Sequence, residues 1–122
     1  MELRVIDGDF SICKVREAGP EMYALPFCFI GKTDEELSIV CPTGDVPAET
    51  LERNDGWRMF GVTGQMDFSL TGVLAGLSRV LADAGVGIFA VSTYNTDYIL
   101  VKANQFDHAV GALRKASYDV PA

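Results

Sequence analysis

Seven apolar residues, Leu70, Val73, Leu74, Leu77, Val80, Leu81 and Ala84, recur at spacings of three and four, and this run constrains the fold more than any other stretch. The spacing predicts an amphipathic helix over 68–84, with Ser78, Arg79 and Asp83 on its polar side. Gly85 stands where a left-handed C-terminal stop belongs. A second helix is predicted over 105–116, where Phe106, Ala109, Val110, Leu113 and Ala116 share one side. Arg114 and Lys115 in its last turn complement the helix dipole. Both stripes need a sheet to bury them.

Strands are predicted over 10–15, 27–32, 37–41, 57–62, 86–94 and 98–102, which are rich in β-branched and aromatic residues and bounded by Gly, Pro, Asp or Asn. A further strand over 3–6 is expected to enter a tight turn at Asp7-Gly8. Strands and helices mix without strict alternation, which places the chain in the α+β class. It is also internally similar. Residues 29–41 align with 90–102 at an offset of 61, matching Val40 to Val101 and Glu36 to Asp97, while 10–15 and 57–62 align at an offset of 47. The 14-residue difference falls between strand and hairpin, where the second copy holds the long helix. In the first copy, Pro20 and Pro26 leave room for about one helical turn. The expectation is two βαββα copies, the first with a truncated helix, with helices on one face of the sheets. The polar stretch 42–56, with Pro42, Gly44, Pro47 and Asn54-Asp55-Gly56, reads as the boundary and has room for a short helical turn over 48–51. The lobes are then 1–56 and 57–122.

Ten Lys plus Arg against seventeen Asp plus Glu give a net charge of −7, a field that repels phosphate backbones and anionic lipid. Nucleic acid and membrane surfaces are therefore not expected as partners. No apolar run approaches the length of a spanning helix, and residues 1–4 lack the basic start of a secretory leader, so a cytoplasmic setting is expected. Cys13, Cys28 and Cys41 form no Cys-x-x-Cys pair, lie in apolar strand-like stretches, and read as buried reduced thiols. His108 is the single histidine and follows Asp107 on a predicted helix, which reads as a solvent-exposed position. Without a second histidine or a carboxylate cluster, neither a zinc site nor a Ser-His-Asp triad is expected. Gly61-Val62-Thr63-Gly64 lacks the Lys-Ser/Thr that completes a P-loop. The sequence argues against an enzyme and implies no cofactor or metal.

Two segments rise above this background. At the join of strand and long helix, Asp67, Ser69 and Thr71 are competent N-caps, and unpaired N–H groups at a helix start favour an anion such as a carboxylate. Between the last two strands, a turn at Asn95-Thr96 leaves Ser92, Thr93 and Asp97 with more hydrogen-bonding capacity than turning requires. The Asp97 carboxylate complements an ammonium or guanidinium, and the helix start complements a carboxylate. Together they match the two charges of an amino acid.

Trp57-Arg58-Met59-Phe60, Asp67-Phe68-Ser69-Leu70-Thr71-Gly72 and the string from Ser92 to Val101 resemble bacterial ACT domain proteins related to the CASTOR-type arginine sensors and to aspartate kinase regulatory domains. The resemblance covers nearly the whole chain. It implies ferredoxin-like, non-catalytic, allosteric modules that bind small molecules, most often amino acids, at interfaces between paired domains. It further implies ligand contacts from Thr71, Gly72 and Val73 at the helix and from Thr93, Tyr94 and Asp97 at the hairpin. Asp67 and Ser92 join this set on their own chemistry. Because the sensors carry four such units and this chain two, the resemblance implies a homodimer. A reading of a different class is a ligand-free oligomerisation module, and a third is a small enzyme using Asp67 or Asp97 as a base.

Overall fold

The computed structural model describes residues 1–63 and 72–121. The elements run β1 (Leu3–Lys14), α1 (Pro20–Tyr23), β2 (Phe29–Lys32), β3 (Leu37–Pro42), β4 (Glu52–Val62), α2 (Val73–Asp83), β5 (Ile88–Ser92), β6 (Asp97–Lys102) and α3 (Phe106–Lys115). This is the expected α+β fold, with six strands, three helices and antiparallel hairpins β2–β3 and β5–β6. Two units divide it, one of residues 1–7 and 58–122, the other of 8–57.

In the first unit, alternation along the strands sends Leu3, Phe60, Val62, Ile99 and Val101 to one face, where they meet Leu77 and Leu81 of α2 and Ala109 and Leu113 of α3. The described stripe residues thus pack on one sheet face except Ala116, which is exposed just past α3, while Leu70 lies outside the described residues. Burying each such large aliphatic side chain contributes about 1.5–3 kcal/mol. Both helices end in the same motif. Gly85, at φ +77°, donates to the Ala82 carbonyl, and Val86 donates to that of Leu81, as expected at this glycine. At the end of α3, Ser117 at φ +72° and Tyr118 make the equivalent bonds to Arg114 and Leu113. A serine is strained in that region. Ser117→Gly is therefore expected to raise stability by about 0.5–1 kcal/mol, seen as a higher urea midpoint at unchanged slope.

The second unit has its own core of Cys13, Val15, Met22, Ile39 and Cys41. The one-turn α1 starts at Pro20 and contributes Met22, so the truncated helix exists and is anchored by a single buried side chain. Ser11 is buried, and its hydroxyl is satisfied by Thr43 Oγ1 at 2.9 Å and by the Asp55 carboxylate. Cys13 and Cys41 are buried free thiols as expected, whereas Cys28 is only half-buried.

Several local expectations are corrected. Asp7-Gly8 is not a tight turn, because β1 continues through it with Gly8 at φ +92°. Likewise Asn54-Asp55-Gly56 lies inside β4, with Gly56 at φ +83°. Glycine tolerates these angles, so the strand absorbs a local kink where a turn was expected. The helical turn expected over 48–51 is replaced by a 3-10 turn at Thr43–Asp45. The repeat offset is 60 rather than 61. Lys32 pairs with Leu37 as Ser92 pairs with Asp97, Thr33 N–H donates to the Glu36 carbonyl as Thr93 N–H does to that of Thr96, and the 3-10 turns Thr43–Asp45 and Ala103–Gln105 follow in step. In this register Phe29, Thr33 and Ile39 match Phe89, Thr93 and Ile99, and Leu37 rather than Glu36 stands where Asp97 does.

Candidate functional site

The β5–β6 hairpin closes more tightly than its sequence implied. Thr93 N–H donates to the Thr96 carbonyl at 2.8 Å, and the Thr93 hydroxyl donates to the same oxygen at 3.1 Å. The turn is therefore centred on Tyr94-Asn95, one residue before the expected Asn95-Thr96. That shift frees the Thr96 hydroxyl, which donates to the Val62 carbonyl at 3.1 Å and fastens the turn to the last residue of β4. Thr96 is a positioning residue that the sequence reading missed. Its spacing as the partner of Thr93 across a two-residue turn was the available signal.

Beside this anchor, Ser92 and Asp97 are cross-strand partners, and the Ser92 hydroxyl donates to Asp97 Oδ1 at 2.6 Å. A short bond of this kind to an ionised carboxylate fixes its orientation. Asp97 is 9% exposed, so its charge sits at the margin of the protein interior, while Tyr94 at the tip is 76% exposed. On the helix side, Gly72 is the N-cap of α2 at φ +80°, a conformation that favours glycine, and its carbonyl accepts the Gly76 N–H at 2.8 Å. Among the described residues no side chain caps this start. The position expected for Asp67, Ser69 or Thr71 is held by Gly72, and Val73 opens the helix. Of the candidate set, the structure gathers Ser92, Thr93, Tyr94 and Asp97 on one turn and places Gly72 and Val73 at the start of α2; Asp67 and Thr71 lie outside the described residues.

The matching place in the second unit is open. A cavity of about 600 Å³ is lined there by Lys14 at the end of β1 and the residues after it to Ala18, by Tyr23 of α1 and by the hairpin turn from Lys32 to Leu37. These are the strand end, the helix and the turn that correspond to the candidate site. Lys32 and Leu37 replace Ser92 and Asp97 at those positions, and the carboxylate that lines this cavity in a fixed orientation is instead Glu36, whose Oε1 accepts from the Ser38 hydroxyl at 2.7 Å. Elsewhere the chemistry is sparse. His108 is exposed, with Nε2 at 2.9 Å from the Ala84 carbonyl at the end of α2. Among the described residues no group of three or more His, Cys, Asp or Glu could hold a metal ion, and no helix is long and apolar enough to cross a membrane.

Two sheet-and-helix units of this build define a ferredoxin-like architecture. The sequence profile of the ACT domain matches residues 52–115, and the chain belongs to the ACT domain family. Among solved structures, protein Atu0741 from Agobacterium tumefaciens is similar with a TM-score of 0.87 and 31% identity, over 98% of this chain and 91% of that one. The aspartate kinase of Clostridium acetobutylicum, described as an allosteric enzyme, is similar with a TM-score of 0.68 and 15% identity, over 90% of this chain and 33% of that one. The regulatory subunit of aspartate kinase from Thermus thermophilus, in ligand-free form, gives a TM-score of 0.58 and 14% identity, over 89% and 93%. At these identities the two kinase structures speak for the fold. No functionally curated protein matches the chain.

Proposed function

We propose that this chain is a non-catalytic regulatory protein of two ACT-like lobes, 1–56 and 57–122, that binds a small amino acid or related zwitterion. The ligand set is Asp67, Thr71, Gly72, Val73, Ser92, Thr93, Tyr94 and Asp97, with Asp97 taking the ammonium and the start of α2 taking the carboxylate. The carrying observation is the low-exposure Asp97 carboxylate held by Ser92 on a turn that Thr96 fastens to β4. The cavity at the corresponding place in the second unit supports the same reading, as does the likeness to aspartate kinase regulatory domains. The protein works as a cytoplasmic homodimer, akin to the CASTOR-type sensors, and ligand shifts the population of subunit packings by its differential affinity for them.

A thermal-shift panel of the twenty amino acids tests this. Ligand at 100 times its dissociation constant stabilises by about 2.7 kcal/mol. Asp97→Asn keeps the shape and the Ser92 bond but removes the charge, and is expected to weaken binding by about 1.5–3 kcal/mol, read as the concentration needed for half the shift. Absence of a shift with every amino acid at millimolar concentration removes the proposal. The ligand-free oligomerisation reading is favoured by β2 and β5, each hydrogen-bonded to a strand on one side only. It requires association that no amino acid alters and that Asp97→Asn leaves intact.

A further inference from the structure

The first unit holds a second polar groove, of about 520 Å³, that shares no lining residue with the β5–β6 turn. Arg58 of β4 and Arg114 of α3 line it together with Val5, Asp7, Phe106, Asp107 and the exposed Arg4 of β1. Arg58 Cζ lies 4.1 Å from the centroid of the Phe106 ring, and Phe106 stacks in turn on buried Phe60, at 5.2 Å and 13° between planes. The column holds the guanidinium in place. Stacking engages the face of the group but none of its N–H donors, which point outward in its plane. Arg58 Nε is buried and has no hydrogen-bond partner among the described residues.

Arg114 is fixed by a different means. Its Nε and Nη2 donate to the Val120 carbonyl at 3.0 and 2.7 Å. Among the described residues its Nη1 group makes no hydrogen bond and the guanidinium no ion pair. Asp7 and Asp107 line the same groove, yet among the described residues neither is ion-paired with either arginine. In a chain of net charge −7, two positioned guanidinium groups on one groove, neither ion-paired among the described residues, depart from the average surface. Because Nε is closed off, an oxyanion in the groove pairs with the outer edge of the Arg58 guanidinium, with charge as well as geometry.

We propose that this groove binds the carboxylate or phosphate group of a small metabolite through Arg58 and Arg114, with the ligand's apolar part against Val5. Asp7 and Asp107 repel polyanions and accept from a hydroxyl or amine of the ligand, which restricts the class to small, weakly charged anions. Titration of the intact protein with inorganic phosphate and, separately, with acetate at fixed ionic strength tests this, following the arginine Nε–Hε resonances by NMR. The Arg58 resonance is expected to move saturably with at least one probe, and the probe that acts distinguishes phosphate from carboxylate. Arg58→Lys keeps the charge but loses the fork, and is expected to raise the dissociation constant about tenfold. Arg79→Gln, on the exposed side of α2, is expected to leave it unchanged. Arg114→Gln, at an exposed position, provides the same comparison should Arg58→Lys fold poorly. The proposal is overturned by the absence of saturable movement with both probes, or by unchanged affinity in the folded arginine variants.

Discussion

Phe60→Ala is expected to lower the unfolding free energy by about 3–5 kcal/mol, the range for deleting a buried phenyl ring. Phe60 is 2% exposed and joins the core that unites β4 with α2 and α3, so few neighbours are free to collapse into the space. It is also the base of the column that carries Phe106 and Arg58. Removing it forfeits an aromatic pair worth about 0.5–1.5 kcal/mol beyond area burial. Against a typical domain stability of about 5–15 kcal/mol the loss is severe. Urea denaturation measures it, with Phe60→Leu as the reference that retains most of the volume and is expected to cost about 1 kcal/mol. A loss in Phe60→Ala as small as that of Phe60→Leu contradicts the packing described here.

The second large effect is loss of stability in alkali. Burial pushes the Cys41 thiol up from its ordinary 9.0 to about 12, with the neighbouring thiols Cys13 and Cys28 adding to the shift. Burial raises Cys13 and Cys28 as well. The folded state thus keeps its proton on Cys41 at a pH where the unfolded chain has released it. Stability is full below pH 9.0 and falls as pH rises towards about 12. One such thiol lowers stability by about 1.4 kcal/mol per pH unit in that window, or about 4 kcal/mol in all. The test is a comparison: urea midpoints of the native protein and Cys41→Ala from pH 8 to 11. The variant starts less stable, because a small cavity replaces the thiol, but its alkaline decline is expected to be shallower by that slope. Parallel declines refute the assignment.

Much of this architecture is legible in the sequence because periodic burial writes itself into residue order. The stripe of α3, the glycine stop after α2 and both hairpins follow from side-chain spacing alone. Gly8 and Gly56 were misread because a glycine beside an aspartate signals a turn, and only the partner strand decides whether pairing continues through it. The hairpin register was misplaced by one residue because a single Val match outweighed hydrogen bonding that the sequence does not display; the Thr33 and Thr93 pair carried the information. Ser92 with Asp97 was recognisable from polarity in excess of what a turn needs. The Arg58 groove was not, since it depends on Arg58 and Phe106, 48 positions apart, meeting face to face.

Leu37 and Lys32, where the other hairpin has Asp97 and Ser92, make the two halves of this chain chemically unequal despite their shared geometry. On the reading proposed above, a metabolite whose amine pairs with the Ser92-held Asp97 meets a differently placed acid on the other hairpin, where Ser38 holds Glu36 instead. The two hairpins are then expected to answer one metabolite with different affinities, a difference that a two-site fit of its saturation curve reads.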